Sequence, residues 1–243
     1  MIQQLTTDTQ SKIIYPDSDG QPMADNTKQF RWIVTIKENL EILFADVADI
    51  FVAGDLLWYP VQGNKKICKA PDAMVVFGRP KGDRGSYKQW EENNIAPQVV
   101  FEILSPSNRL QEMTRKLSFY QQYGVEEYYI YDPDENDFIG LTRVGQSLEV
   151  IPEINGWVSP RLGIRFELTA ETLEIYRPDG EKFLTSVELD RLRELEKQRA
   201  EQIQQQLDQE KQRAEQIQQQ LDQEKQRADR LAEMLRERGI DPD

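Results

Sequence analysis

The spacing of apolar positions changes character several times along the chain. From about Thr27 to Asp46, Ile33, Ile36, Leu40, Leu43 and Phe44 recur at helical intervals, which predicts a helix with one apolar stripe. Beyond it the pattern shortens. Ile50–Trp58, Ile67–Lys69 and Ala73–Phe77 are rich in β-branched and aromatic residues, are separated by Gly54, Pro60 to Gly63 and Pro71, and read as short strands. Residues 78–96 have no period and read as a long surface loop, and Val99–Leu104 (VVFEIL) reads as a buried strand. After Ser105-Pro106-Ser107 the spacing is again helical: Leu110, Met113, Leu117 and Tyr120 share a face, Asn108 with Gln111 offers an N-cap pair, and Gly124 is the stop. Glu127–Tyr131, closed by Asp132-Pro133, is the next strand, and further short strands fill 137–177. This order predicts an α/β fold in which a helix links two strands of one sheet.

From Ser186 the pattern is that of one long helix. The segment EKQRAEQIQQQLDQ occupies 196–209 and repeats without change at 210–223. Fourteen residues are two heptads, so Ala200, Leu207, Ala214, Leu221, Ala228 and Leu235 fall seven apart, while the companion seam of Ile203, Glu210, Ile217, Glu224 and Leu231 is interrupted by two glutamates. Two readings follow: a weak self-association rod making the protein a homo-oligomer, or a solvated single helix held by Glu–Lys and Glu–Arg pairs. The pattern thus predicts a polar N-terminal arm (1–27), a folded domain (28–185) and a helical heptad-repeat tail (186–243).

Composition narrows the functional classes. All 22 aromatic residues precede residue 188, where a core can form. The longest apolar run, Ala73–Phe77, is far short of the ~20 residues of a membrane span, and the N-terminus has no basic start or apolar stretch, so neither a membrane anchor nor a signal peptide is expected. A lone cysteine, Cys68, excludes an internal disulfide and suits a reducing cytoplasm. With no histidine, Ser-His-Asp and Cys-His catalysis and His-ligated metals are excluded, leaving oxygen ligands and hence Mg²⁺, Mn²⁺ or Ca²⁺. The charge of −13 opposes broad nucleic-acid affinity. Of 30 basic and 43 acidic residues, 11 and 15 lie in 188–243; the remaining 19 and 28 leave the body acidic too.

Carboxylates are therefore the natural chemical groups. Asp72 precedes a buried strand, and Glu102 interrupts one, a costly place for a carboxylate unless it is paired or binds a metal. On neighbouring strands the two would hold a hard cation; alternatively Glu102 lies on an exposed strand face. Lys116, on the flank of the following helix, either snorkels toward Glu102 or forms a surface pair with Glu112. Arg79, Lys81, Arg84 and Lys88 form a local basic cluster, read either as a phosphate contact or as a solvated loop.

Pro71-Asp72, then Val100–Arg109 (VFEILSPSNR), Lys116, Tyr120, Gly124-Val125, Glu127-Tyr128 and Asp132-Pro133 resemble, in that order, the Uma-two family of endonucleases of the PD-(D/E)XK superfamily, over about residues 28–178. The resemblance implies a restriction-endonuclease-like core, a mixed central sheet flanked by helices, followed here by a long C-terminal helix or coiled coil. It implies a Mg²⁺- or Mn²⁺-dependent enzyme acting on DNA through a local cleft, with Asp72 and Glu102 as metal ligands, the Ile103 carbonyl as a further ligand and Lys116 as the catalytic lysine. The superfamily lysine belongs two residues after Glu102, where this chain has Leu104; Lys116 stands in for it. That departure motivates an alternative, an inactive nuclease-fold scaffold that binds protein partners through its tail. Some superfamily members add a glutamate from the first helix, for which Glu41 lies nearer the apolar stripe than Glu38. Asp55 is a further candidate for the cleft, although both read more readily as solvated side chains. Tyr120 and Tyr128 read as core aromatics.

Overall fold

In a computed structural model the structure describes residues 13–18, 20, 22–108, 110–237 and 239. The chain divides into two units, Met1–Thr185 and Ser186–Asp243. The first begins with helix α1 (Thr27–Leu43), whose N-cap Asn26 accepts from the N–H groups of Lys28 and Gln29. The helix ends three residues before the predicted Asp46. There the Lys81 ammonium donates to the carbonyls of Phe44 and Ala45, placing a cation at the negative end of the helix dipole. Strands β1 (Ile50–Ala53), β2 (Trp58–Tyr59), β3 (Ala73–Phe77), β4 (Tyr87–Lys88) and β5 (Val99–Ile103) follow, then helix α2 (Leu110–Tyr123). Strands β6 (Glu127–Asp132), β7 (Asp137–Val144), β8 (Ser147–Val150), β9 (Arg165–Leu168) and β10 (Leu173–Tyr176) complete the body.

Six strands form one sheet in the order β1-β3-β5-β6-β7-β8. Within this sheet β5 and β6 are the parallel pair, and α2 is their crossover, the connection that a parallel pair requires. The architecture is thus the expected mixed α/β. Strand alternation sorts the core onto two faces. Val99, Phe101, Ile103, Tyr129 and Tyr131 pack with Ile33, Ile36 and Leu40 of α1 and with the β9–β10 hairpin. Met74, Val76, Val100 and Tyr128 face Met113, Leu117 and Tyr120 of α2. Gly124 closes α2 at φ +96°, where a side chain would be strained, with the Val125 N–H returning to the Tyr120 carbonyl.

Several local expectations are corrected. Ile50–Trp58 is not one strand, because the chain turns at Asp55 with φ +48°. Ile67–Lys69 forms no strand and makes only a bridge between Lys69 and Trp58. The 78–96 loop contains β4 and a 3-10 turn, Gln89–Glu91. Leu110, read as part of the buried stripe, is 85% exposed. Asn108 turns its side-chain oxygen back to the Ser105 N–H and hydroxyl. Of the polar arm, residues 1–12, 19 and 21 lie outside the described residues, as does Arg109 of the family pattern. Tyr15 and its neighbours are not loose: the Tyr15 ring packs on Tyr59 and Trp90, and the Tyr59 hydroxyl donates to the Pro16 carbonyl.

The second unit is helix α3 (Ser186–Glu237), 52 residues and so about 78 Å long at ~1.5 Å per residue. The exact sequence repeat is repeated in its bonds: Gln204 donates to Asp208, and Gln218 to Asp222, both at 3.0 Å. Its apolar seam residues, among them Ile203, Leu207, Ile217 and Leu221, are exposed. No helix among the described residues is long and apolar enough to cross a membrane.

Candidate active site

Register and parity bring the two acidic positions together. β3 and β5 are antiparallel with Ala73 opposite Phe101, so one further step sets Asp72 across from Glu102. Both share the parity of Met74, Val76 and Val100, and therefore project from the sheet face that α2 covers. Glu102 is 1% exposed and Asp72 8%. The Asp72 carboxylate accepts the Ile103 N–H at 2.6 Å. From α2, the Lys116 ammonium donates to Glu102 Oε2 at 2.6 Å and the Tyr120 hydroxyl donates to Glu102 Oε1. Lys116 and Tyr120 lie four residues apart, one helical turn, so a single face of α2 holds both oxygens of one carboxylate. Glu112, the other candidate partner of Lys116, is at 4.0 Å.

The charges in this cluster do not balance. Burial, and then the neighbouring Glu102 charge, push the Asp72 carboxyl well above its ordinary range, against the opposing pull of Lys116 and the Ile103 N–H. Burial works against the Lys116 ammonium, but the charges of Glu102 and Asp72 outweigh it and hold that ammonium protonated above the usual lysine range. Burial and the Glu102 charge likewise push the Tyr120 phenol up, which keeps it a donor. One deficit remains: the Tyr128 hydroxyl is buried with no hydrogen-bond partner among the described residues, and it feels the charges of Glu102 and Asp72. Like-charged carboxylates facing one another across a strand pair, with one ammonium bound to Glu102 and an orphaned hydroxyl nearby, fit a hard divalent cation and its waters. Among the described residues there is no cluster of three or more His, Cys, Asp and Glu side chains of metal-site geometry. The Ile103 carbonyl already accepts the Gln29 side-chain amide at 2.7 Å and would serve a metal only through its second lone pair.

Asp72 and Lys116 line a cleft of about 330 Å³ together with Asp25, Asp55 and Lys69, and Lys116 joins Glu102 to it. Asp55 therefore does face the same cleft, and its charge adds to the upward push on Asp72. Glu41 does not: with Lys37 and Lys81 it lines a separate cleft of about 550 Å³, where it pairs with Lys37 at 2.9 Å. The 79–88 basic cluster is spent on internal bonds. Arg79 and Arg84 each bind Glu92 at 2.7 Å, Lys88 lies 3.6 Å from Glu91, and Lys81 caps α1.

Sequence reasoning missed three contributors. Tyr120 is buried as expected but also bonds Glu102; its i,i+4 spacing from Lys116 was the available signal. Gln29 and Asp25 had none. Gln29 links α1 to the Ile103 carbonyl and accepts the Asp25 N–H. Asp25 holds the Ser105 and Ser107 hydroxyls at the start of the α2 crossover, bonds that keep its own carboxyl below the usual range.

The sequence profile of the Uma2 family, described as "Putative restriction endonuclease", matches residues 3–210. No curated protein matches the chain. Among solved structures, the chain is similar to a crystal structure of "a putative nuclease belonging to DUF820" from Anabaena variabilis ATCC 29413. The two are 19% identical, the match covers 58% of this chain and 74% of that one, and the TM-score is 0.42.

Proposed function

The chain belongs to the Uma2 family of restriction-endonuclease-like nucleases, and from that membership and the Asp72–Glu102–Lys116 cluster we propose that it is a divalent-metal-dependent endonuclease hydrolysing DNA phosphodiester bonds. The observation that carries this reading is the cross-strand pair of buried carboxylates, held on one sheet face and capped by a lysine. Asp72 and Glu102 would hold Mg²⁺ or Mn²⁺, with the Ile103 carbonyl as a further ligand. A bound divalent ion supplies Lewis-acid polarisation of the phosphate and a water acidic enough to attack at neutral pH. The roles of the chain's own groups follow from their contacts. Tyr120 fixes the Glu102 rotamer. Lys116, held cationic by its neighbours, is no general base; its N–H groups orient the attacking water and offset negative charge growing on the phosphoryl oxygens. Leu104, which motivated an inactive scaffold, leaves the site without its usual lysine only if no other ammonium reaches Glu102, and Lys116 reaches it.

Supercoiled plasmid incubated with the purified chain and Mn²⁺ or Mg²⁺ tests the proposal. Nicking or linearisation is expected, reduced on the order of 10³-fold by Asp72→Ala or Glu102→Ala, the loss of several kcal/mol of transition-state stabilisation. Cleavage that survives either substitution would place the chemistry elsewhere. For the tail we propose self-association through the Ala200–Leu235 seam. Sedimentation should show an oligomer that becomes a monomer when Ser186–Asp243 are removed; an unchanged state would leave the seam without that role.

A further inference from the structure

An acidic protein that acts on DNA needs a local surface that meets the phosphate backbone, and the 79–88 cluster cannot supply it, since its charges are paired within the fold. In the body, five basic side chains make neither an ion pair nor a hydrogen bond among the described residues: Arg31, Lys65, Lys66, Lys69 and Arg115. Three of the five fall within one five-residue stretch of the segment joining β2 to β3.

That stretch is placed and shaped by the fold. Lys69 exchanges both backbone hydrogen bonds with Trp58, at 2.8 and 3.2 Å, and lines the same cleft as Asp72 and Lys116. Upstream, the Asn64 side chain accepts the Lys66 N–H and the Asn64 carbonyl accepts the Ile67 N–H, which closes a tight turn. The Gly63 N–H donates to the Tyr15 hydroxyl, and Tyr15 is itself packed on Tyr59 and Trp90. Lys65 and Lys66 are exposed on this turn. Three ammonium groups with no ion pair among the described residues thus stand on this backbone stretch, whose last, Lys69, lines the cleft with Asp72.

We propose that Lys65, Lys66 and Lys69 form the contact surface for the DNA phosphate backbone, delivering it to the cleft. This rests on the nuclease reading above and adds to it the residues that hold the substrate. Ammonium groups with no internal carboxylate partner meet phosphates without first breaking an ion pair, and each contact releases condensed counterions. The overall negative charge then confines binding to this stretch and makes it steeply salt-dependent.

The test uses the full chain, a fluorescein-labelled DNA duplex and EDTA, so that cleavage cannot consume the probe. Binding is followed by anisotropy across a salt series. Changing Lys65, Lys66 and Lys69 together to Gln should weaken binding by tenfold or more at low salt and flatten the log K against log salt slope by about 2.7, three contacts at ~0.9 each. The Mn²⁺-induced rise in Tm, which reads the carboxylate pair, should be unchanged. A control with the same change in charge, Lys197→Gln, Lys211→Gln and Lys225→Gln in α3, should leave the slope as it was. An unaltered slope in the first variant, or an equal loss in the control, overturns the proposal while leaving the nuclease reading standing. A wild-type chain that neither binds the duplex nor cleaves plasmid with Mn²⁺ overturns both.

Discussion

Two glutamates sit on the central parallel strand pair, Glu102 on β5 and Glu127 at the start of β6, at almost the same burial, 1% and 2% exposed. They belong to opposite faces of the sheet and have opposite surroundings. Glu127 is saturated by neutral donors: the Tyr129 hydroxyl at 2.9 Å, the Ser159 hydroxyl at 2.5 Å and the Arg161 N–H at 2.7 Å. Those bonds pin the 159–161 turn to the sheet, and no second carboxylate competes for them. Glu102 instead faces Asp72 and is bound by the Lys116 ammonium, which with Asp72 lines a cleft. A buried carboxylate is therefore not in itself a sign of chemistry. What separates a structural pin from a reactive site is uncompensated like charge with access to solvent, since only that arrangement is relieved by adding a cation.

The largest expected effect tests the structural half of the contrast. Glu127→Ala strands two buried hydroxyls and the half-buried Arg161 backbone N–H and should cost about 3 kcal/mol or more, a Tm loss on the order of 10 °C that Mn²⁺ does not repair. Metal-free Glu102→Ala should lose less, about 1–2 kcal/mol, because Lys116 can turn to Asp72 and only the Tyr120 hydroxyl loses its acceptor. Equal losses, measured by thermal denaturation in EDTA, would erase the distinction. Next in size is Lys116→Met. Without metal it removes a charge-assisted bond worth about 1.5–3 kcal/mol, and Mn²⁺ should then raise Tm by more than it does in the wild type, since the cation replaces the missing charge. A smaller Mn²⁺ response would mean that the carboxylates do not share the ion.

The smallest effect has a sign set by pH. The folded-state pKa of Asp72 lies above its unfolded value, so between the two the folded chain binds the extra proton, and stability falls as pH rises through the folded pKa. Metal-free Asp72→Asn should therefore be more stable than wild type at neutral pH, by about 1 kcal/mol or 2–4 °C. The advantage should shrink as pH falls toward the unfolded Asp pKa and vanish by about pH 3, where unfolded Asp is itself largely protonated. With saturating Mn²⁺ the order should reverse. A variant less stable than wild type in EDTA at pH 7 would show that Asp72 is compensated, like Glu127.

Much of this molecule is written in local pattern. The 3.6-residue period of Ile33, Ile36 and Leu40 and the run VVFEI specify α1 and β5 because burial of one face is a property of a few consecutive residues. The anomaly of Glu102 is visible for the same reason: a carboxylate among buried apolar neighbours stands out wherever the strand goes. The exact fourteen-residue repeat likewise specifies the helical character of α3.

Other features depend on which distant segments meet. The antiparallel register of β3 on β5 sets Asp72 opposite Glu102, and a slip of one residue would turn one of them to the α1 face. Glu92, far from conspicuous in the sequence, meets Arg79 and Arg84 and ends their candidacy as a phosphate surface, while Lys65, Lys66 and Lys69 meet no carboxylate among the described residues. Leu110 continues a helical stripe on paper yet stands in solvent, because α2 docks through Tyr120, Leu117 and Met113. Period is set by neighbours along the chain, but charge compensation and register are set by neighbours in space, and only the folded sheet brings those together.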